Sequence, residues 1–120
     1  MYEIPGYRMS GVAQADFTNK SGCGVVVGTV AGTLAIAAAS LPIDGVLNME
    51  GTSGQMVTAV VDGIVIGLYG GNVVAGDKLT MDASGQFITA VATNAIVGKA
   101  MEAGATGEKH PVLLGYKGLA

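Results

Sequence analysis

The sequence predicts a mainly β protein, a small antiparallel barrel or sandwich, and three observations carry this prediction. Glycine accounts for 20 of the 120 residues, which is roughly double its usual share of about 7%. From residue 23 onward, short apolar runs rich in Val and Ile are separated by Gly, Asn, Asp and Ser. Closely spaced runs with such turn signals are typical of all-β domains. Finally, the chain contains an internal repeat in which the same order of strands and glycine turns occurs twice.

The expected strands follow one another along the chain in a regular way. The run 78–81 follows a Gly-Asp turn. The run 86–91 follows a Ser-Gly turn and alternates larger and smaller side chains. Val, Ile and aromatic residues favour such strands. The other runs share this texture; they are 25–30, 34–38, 57–61, 64–68, 95–100 and 112–114.

The repeat appears when the chain is compared with itself at an offset of 53 positions. Gly32 then meets Gly85 and Gly45 meets Gly98. A one-residue slip aligns Met49-Glu50 with Met101-Glu102, after which 53–55 matches 106–108 in the original register. The two pseudo-repeats are 23–62 and 76–115, and an extra strand at 63–68 lies between them.

The repeat also bears on the Ala-rich segment 33–40. Alanine is the strongest helix former, so a helix at 34–40 is one reading of this segment. Its counterpart, 86–93, is β-branched and alternating, which favours a strand. Because equivalent segments share a conformation, we expect strands at both places, with the helix as the alternative.

Composition excludes several classes of protein. Half of the residues are hydrophobic and only 12% are charged, whereas disordered chains show the opposite balance. The net charge is −3 and the six basic residues are scattered, so we expect no nucleic-acid partner. The longest apolar run, 34–39, is far shorter than the ~20 residues of a membrane helix, and no secretory signal opens the chain. We therefore expect no membrane partner and a cytosolic origin.

No pattern predicts catalysis, a cofactor or a metal. Asp77 and Asp82 lack the ligand spacing of a calcium loop and suit turns instead. Cys23 is the single cysteine and His110 the single histidine, too few for a zinc site and without an orienting acid for a nucleophilic pair. We expect no enzymatic activity. The remaining candidates have structural explanations: the glycine cluster 51–55 forms a turn, and Glu50 and Glu102 reflect the duplication.

The apolar surplus consists of Val, Ile and Ala, with no Trp and few charges to cover the surface. A lone subunit should therefore leave apolar surface exposed, which predicts an oligomer or a docking surface. Residues 1–22 differ in texture and predict an extended N-terminal arm, followed by a β domain over 23–120.

Residues 30–115 resemble the phage capsid decoration family, also called capsid cement or head-stabilising proteins. The resemblance rests on IDGVLNMEGTSGQMVTAVVDGIVIGL at 43–68, GGNVVAGDKLTMDASGQFITA at 70–90 and AIVGKAMEAGATGEKHPVLL at 95–114. Family members similarly show a Gly-Val-Leu strand, a Gly-Asp-x-Leu/Val-Thr hairpin, an Ile-Val-Gly-x-Ala-x-Glu strand and a Gly-Glu…Val-x-Leu ending.

The resemblance implies a small β-barrel or tulip-like subunit that forms a homotrimer. Such trimers bind the major capsid protein on the outer surface of an icosahedral virion, at or near three-fold axes, and stabilise the expanded shell. An N-terminal arm often reaches the shell or a neighbouring subunit. By position, the contact residues here would be Tyr2, Ile4, Tyr7 and Phe17. Two alternatives stay open: the base of a phage head fibre, and a small non-viral ligand-binding barrel.

Overall fold

The computed structural model describes residues 4–5, 8–91 and 93–115, and this part of the chain is all β. Its eleven strands are β1 (Ile4–Pro5), β2 (Arg8–Ala13), β3 (Gly24–Val27), β4 (Thr33–Ile36), β5 (Gly45–Leu47), β6 (Met56–Val60), β7 (Gly63–Leu68), β8 (Lys78–Met81), β9 (Phe87–Thr89), β10 (Gly98–Ala100) and β11 (Lys109–Leu114). The predicted fold class, a mainly β barrel protein, is confirmed.

The first half of the protein, residues 8–62, is a closed barrel in the order β2-β4-β3-β5-β6. Its neighbouring strands are antiparallel except for β2 and β4, which pair in parallel through Val12 with Thr33 and Ala13 with Leu34. This parallel contact closes the barrel.

The second half, residues 63–115, supplies five strands of a six-stranded sheet in the order β1-β7-β11-β10-β8-β9. The long pair of β7 and β11 runs antiparallel from Gly63–Leu114 to Leu68–Lys109. The chain just after β7 forms a parallel bridge from Tyr69 to Phe87 at the start of β9. This bridge corresponds to the parallel contact between Ala13 and Leu34 that closes the first barrel.

The strand registers of the two halves correspond, and this correspondence extends beyond the residues that the sequence repeat aligned. The pair Val46–Val60 in the first half corresponds to Lys99–Leu113 in the second. Turn hydrogen bonds also recur: the Gly54 amide donates to the Ala13 carbonyl at 3.0 Å, and the Gly107 amide donates to the Tyr69 carbonyl at 2.8 Å. The strand expected as an extra element at 63–68 is thus the counterpart of β2.

One detail of the sequence alignment is wrong. The Asn48 amide donates to the Thr58 carbonyl, and the Met101 amide donates to the Pro111 carbonyl, both at equivalent places in the turn after the fourth strand of each half. Asn48 therefore corresponds to Met101 without a slip. Glu50 and Glu102 are not equivalent positions.

The N-terminal arm expected over 1–22 is contradicted for its second part. Arg8–Ala13 is a strand of the closed barrel and pairs with β6 along its length. The apolar alternation of this segment is weak because two of its inward positions are the small residues Gly11 and Ala13, both buried. The third inward residue is Met9, which packs against the core. Residues 4–5 form β1 against Gly63 and Ile64 of β7, and residues 1–3 and 6–7 lie outside the described part.

The remaining strand predictions agree with the structure, with some bounds shorter and others, such as Lys109–Leu114, longer. The predicted strand 25–30 ends at Val27, because residues 28–32 form a hairpin turn in which the Gly28 amide donates to the Thr33 carbonyl. The predicted strand 95–100 begins only at Gly98, after a buried loop. The alternative of a helix at 34–40 is wrong, since Thr33–Ile36 pairs with β3.

The two halves share a core. One cluster of buried side chains lies inside the first barrel and includes Phe17, Leu34 and Leu47. A second cluster joins Val46 and Val60, from the outside of that barrel, to the interior of the second half. One face of the first barrel is therefore packed against the second half.

Candidate functional site

Large apolar side chains are exposed on the described surface, as the composition predicted. They are concentrated in hairpin turns and on outward-facing strand positions. Those exposed to at least a third of their area are Val27, Val30, Leu41, Met49, Met56, Val61, Val74, Val91, Met101 and Leu113. Apolar surface of this kind marks interaction sites when it forms a continuous patch.

One such patch, here called the lysine face, lies on the outside of the second sheet. It consists of Lys78, Ile96, Gly98, Lys99 and Leu113, which line an open hollow of about 320 Å³. Lys99 is the register partner of Lys78 on one side and of Leu113 on the other. The three side chains therefore stand in a row across β8, β10 and β11.

Strand alternation explains why this row faces outward. On β11, Val112 and Leu114 point into the core, with 0% and 8% exposure, while Leu113 between them is 42% exposed. On β10, Lys99 is exposed between two buried neighbours. The result is an apolar floor with two cationic side chains at its rim, suited to an apolar surface that carries a carboxylate.

A second exposed patch, here called the barrel mouth, lies at one end of the first barrel. It consists of Val27, Asp44 and Val61. The two valines are 64% and 38% exposed, and the Asp44 carboxylate accepts a hydrogen bond from the Val27 amide at 2.8 Å. Asp44 is thus an exposed anion held in place among apolar side chains.

The most connected polar cluster surrounds His110 on β11. Its Nδ1 lies 2.7 Å from the Glu102 carboxylate and its Nε2 lies 3.1 Å from the Glu108 carboxylate. Hydrogen bonds to these two carboxylates raise the pKa of His110 above its ordinary value. Because the carboxylates bind opposite ring nitrogens, the three groups do not converge on one point. The cluster fastens the turn between β10 and β11 to the sheet.

Tyr69 lies under this cluster and is fully buried. Its hydroxyl donates to the Glu102 carbonyl at 2.8 Å, and its ring stands 5.2 Å from the His110 ring. Burial, with the nearby carboxylates of Glu102 and Asp77, raises the pKa of Tyr69 to about 12. The phenol is therefore a structural hydrogen-bond donor.

The two candidate carboxylates, Asp77 and Asp82, hold turns as predicted. Asp77 accepts from the Val74 amide at 3.0 Å, and Asp82 accepts from the amides of Ser84 and Gln86 at 2.8 and 2.9 Å. Each carboxylate therefore satisfies backbone donors of its own loop.

Cys23 and His110 do not form a pair. Cys23 is buried, and this burial raises the pKa of its thiol, opposite to what a nucleophile needs. Both ring nitrogens of His110 are engaged by glutamates. Across the described ranges, no group of three or more His, Cys, Asp or Glu residues could hold a metal ion. None of the described residues belongs to a helix that could cross a membrane.

The predicted contact residues do not share one environment in the structure. Phe17 is 0% exposed and belongs to the core of the first barrel, so its ring is not available as a surface anchor. The backbone of Ile4 pairs with Ile64 on β7. Tyr2 and Tyr7 lie outside the described residues. The contact role of Tyr2, Ile4 and Tyr7 remains a proposal.

Sequence reasoning missed the lysine face and the barrel mouth. Lys78, Lys99 and Leu113 lie far apart along the chain, and their adjacency depends on strand register. The repeat did carry a signal: the aligned strands have Val46 and Val60 where the second half has Lys99 and Leu113. When one half has an apolar residue and the other half has a charged residue at the equivalent position, the two positions are expected to differ in burial.

Fold and surface together define an all-β protein of two repeated, curled sheets with unoccupied faces. Among solved structures, the chain is similar to the head fiber gp8.5 N base in bacteriophage phi29, with a TM-score of 0.78 and 14% sequence identity. The match covers 95% of this chain and 98% of that chain. The two proteins therefore share a fold over nearly their whole length. No protein-family model matches the sequence, and no curated protein matches it.

Proposed function

We propose that this protein is a structural subunit of a bacteriophage head. In this proposal it binds the major capsid protein on the outer surface of the icosahedral shell, as a homotrimer at or near three-fold sites, and stabilises the expanded shell. The observation that carries the proposal is the full-length similarity of its fold to a phage head fibre base. The exposed apolar side chains support it, because a subunit on a shell needs surfaces for capsid and sister subunits.

The physical mechanism is selective binding. A ligand that binds the expanded lattice and not the contracted one stabilises the expanded state by mass action. Three linked copies that engage the shell together gain effective concentration, so each contact can be modest. The position of β1 (Ile4–Pro5) at the end of the second sheet supports a role for the N-terminal segment. An extended segment there can contribute Tyr2, Ile4 and Tyr7 as anchors.

A second candidate is the base of a head fibre, which the same structural similarity supports equally. In that role the domain also binds the shell, but its purpose is to carry host-facing parts. The two candidates differ in their effect on the shell: a cement raises its stability, whereas a fibre base need only remain attached.

The test is co-sedimentation of the purified chain with expanded and unexpanded shells of the phage that encodes it. We expect saturable binding to expanded shells and a higher shell melting temperature. Binding without a change in melting, together with recognition of a host glycan in a binding screen, would favour the fibre base. Failure to sediment with either shell would contradict both candidates.

The contribution of the N-terminal segment is tested by deleting residues 1–5. This deletion spares β2, which the first barrel requires, so the fold should survive while shell binding weakens. Unchanged binding by the folded variant would remove the segment from the proposed contact.

A further inference from the structure

The repeat allows the surfaces of the two halves to be compared position by position. By strand register, Lys78, Lys99 and Leu113 of the lysine face correspond to Gly24, Val46 and Val60 of the first barrel. Leu113 is 42% exposed, and both lysines are exposed. Val46 and Val60 are 1% and 0% exposed. The same face is thus open in one half and covered in the other.

The covering surface is one end of the second sheet. The Met81 sulfur fills the space that a Cβ at Gly24 would occupy. Val97 and Leu114 border a small hollow of about 40 Å³ whose other wall includes residues 43–45 and Val61. The Gly24 amide also donates to the Gly85 carbonyl at 2.7 Å. One face of the first half therefore packs against the end of the second half that carries Met81, Val97 and Leu114. This end is here called the mouth of the second half.

The covering residues have counterparts in the first half, and these are exposed. Met81 corresponds to Val27, since they pair with the equivalent residues Phe87 on β9 and Leu34 on β4 respectively. Leu114 corresponds to Val61, one residue beyond the Val60–Leu113 equivalence. Val97 and Asp44 each precede the glycine that opens β10 and β5.

These counterparts, Val27, Asp44 and Val61, are the barrel mouth. The chain thus contains one face-to-mouth contact that is made internally. It also presents a second face and a second mouth of the same origin. Asp44 and Val61 of this mouth border the hollow beside the second half, and all three mouth residues remain exposed in the single chain.

The internal face-to-mouth contact can be compared with the exposed pair formed by the lysine face and the barrel mouth. The two pairs differ in charge, and the charges of the exposed pair are complementary. Within the chain, Gly24 and Val46 meet a mouth that carries Val97 at the position of Asp44. In the exposed pair, the face carries Lys78 and Lys99 and the mouth carries Asp44. Positions that are uncharged in the internal contact are therefore cationic on the lysine face and anionic on the barrel mouth. Opposite charges placed this way select the partner and set the register of an interface.

We propose that the lysine face of one copy binds the barrel mouth of the next copy, head to tail, and that successive copies close into a ring. A contact between different surfaces of identical subunits forms a ring when its rotation closes. In this ring, the contact between copies repeats the geometry of the contact between the two halves of one chain. First and second halves would then alternate around the ring. This inference deepens the proposed function, on whose homotrimer it rests, by naming the surface that joins the copies.

A cysteine pair tests this geometry directly. Because Met81 contacts Gly24 within the chain, Val27 of one copy should lie beside Lys78 of the next. The variant Val27→Cys, Lys78→Cys should form covalent oligomers on oxidation, resolved by non-reducing electrophoresis. The matched control, Val74→Cys with Lys78→Cys, uses a valine of similar exposure, 65%, outside both surfaces. Cys23 is buried and left unchanged.

Charge reversal provides a second and independent readout. Lys99→Asp and Asp44→Lys should each weaken self-association at least about tenfold, since like charges then face each other. The double variant should restore the oligomer, and Lys109→Asp, an exposed reversal elsewhere on β11, should leave it intact. Mass is measured by light scattering after size-exclusion chromatography, with circular dichroism as the check of folding.

The outcomes separate this inference from the proposed function. An oligomer indifferent to both single reversals, a double variant that is not rescued, or a chain that stays monomeric at every concentration overturns the head-to-tail contact. Equal crosslinking by the control pair also overturns it. Shell co-sedimentation is read separately: variants that lose self-association but retain shell binding leave the capsid role standing, and a ring that never binds shells refutes that role alone.

Discussion

At the scale of single residues, the two halves fill similar interiors with different large side chains. The first barrel buries Phe17. Its counterpart in the second half is Val73, because the Phe17 amide donates to the Gly51 carbonyl and the Val73 amide to the equivalent Gly104 carbonyl. The second half buries Tyr69 and Phe87, whose counterparts are Ala13 and Leu34. Large and small side chains are exchanged between equivalent positions, so each interior is filled by its own combination of side chains.

Phe17→Ala should therefore destabilise the protein severely. Removing a fully buried aromatic ring leaves a cavity and costs about 3–5 kcal/mol of unfolding free energy. Urea unfolding followed by circular dichroism measures the loss, and Val74→Ala at an exposed position should change stability by less than about 0.5 kcal/mol. If Phe17→Ala retained wild-type stability and lost only shell binding, the ring would be a surface anchor as first expected.

His110 predicts a pH dependence that can be followed at one resonance, because it is the single histidine. Its pKa is raised in the folded protein by hydrogen bonds to Glu102 and Glu108. A raised folded pKa adds stability that is complete below the unfolded value of about 6.5 and lost as the pH rises through the folded pKa. We expect an imidazole NMR titration midpoint above 6.5, and stability that declines as the pH rises through that midpoint.

The matched variants for this titration are Glu102→Gln and Glu50→Gln. The first removes the carboxylate that contributes most to the raised pKa of His110, and its midpoint should fall. The second lies in the corresponding loop of the first half, where Glu50 accepts from the Asn19 amide, and should leave the midpoint unchanged. A midpoint at or below 6.5 in the wild-type chain would contradict the observed ion pairs.

At the scale of elements, the hairpin turns at Gly32 and Gly85 form a natural matched pair. Both glycines have a φ of 77°, so alanine at either position costs about 1–2 kcal/mol of backbone strain. Nothing lies within 4 Å of a Cβ at Gly32, whereas a Cβ at Gly85 would lie 2.6 Å from Ile36 and 3.2 Å from the Gly24 carbonyl. Gly85→Ala should therefore destabilise more than Gly32→Ala.

The difference between these two variants isolates the contact between halves, because the backbone strain is common to both. It is measured as the difference in urea midpoint at unchanged slope. Equal losses at the two glycines would mean that the Gly85 turn is not seated against the first barrel.

Most strands could be predicted from the sequence, because an apolar run bounded by turn residues is a local signal. β7 was found from GIVIGL, but its counterpart β2, RMSGVA, was not. Beyond Met9, the inward side of β2 is built from glycine and alanine, and a Cβ at Gly11 would lie 2.9 Å from the Leu34 side chain. The small residues that permit this packing also erase the pattern by which a strand is recognised.

At the scale of the whole molecule, the candidate surfaces could not be predicted because they depend on how the halves dock. Val46 and Lys99 occupy equivalent strand positions, and only the seating of the first barrel on the second sheet makes one buried and the other exposed. The general expectation of spare apolar surface required composition alone. Its location required register and packing over distances that no local pattern encodes.

The shared core also predicts that the two halves unfold as one cooperative unit. Val60 from the first barrel and Val112 from the second half are both 0% exposed and belong to the same cluster. Val60→Ala and Val112→Ala should each cost about 2 kcal/mol. Each should also reduce hydrogen-exchange protection by the same factor in β3–β5 and in β8–β10, because opening one half exposes the core of the other. Native-state exchange measured by NMR provides both sets of amides in one experiment.

Val60→Ala could instead lower the exchange protection only in the first half and leave the protection of β8–β10 unchanged. The halves would then be independent domains, and the internal contact would be too weak to serve as the model for contacts between copies.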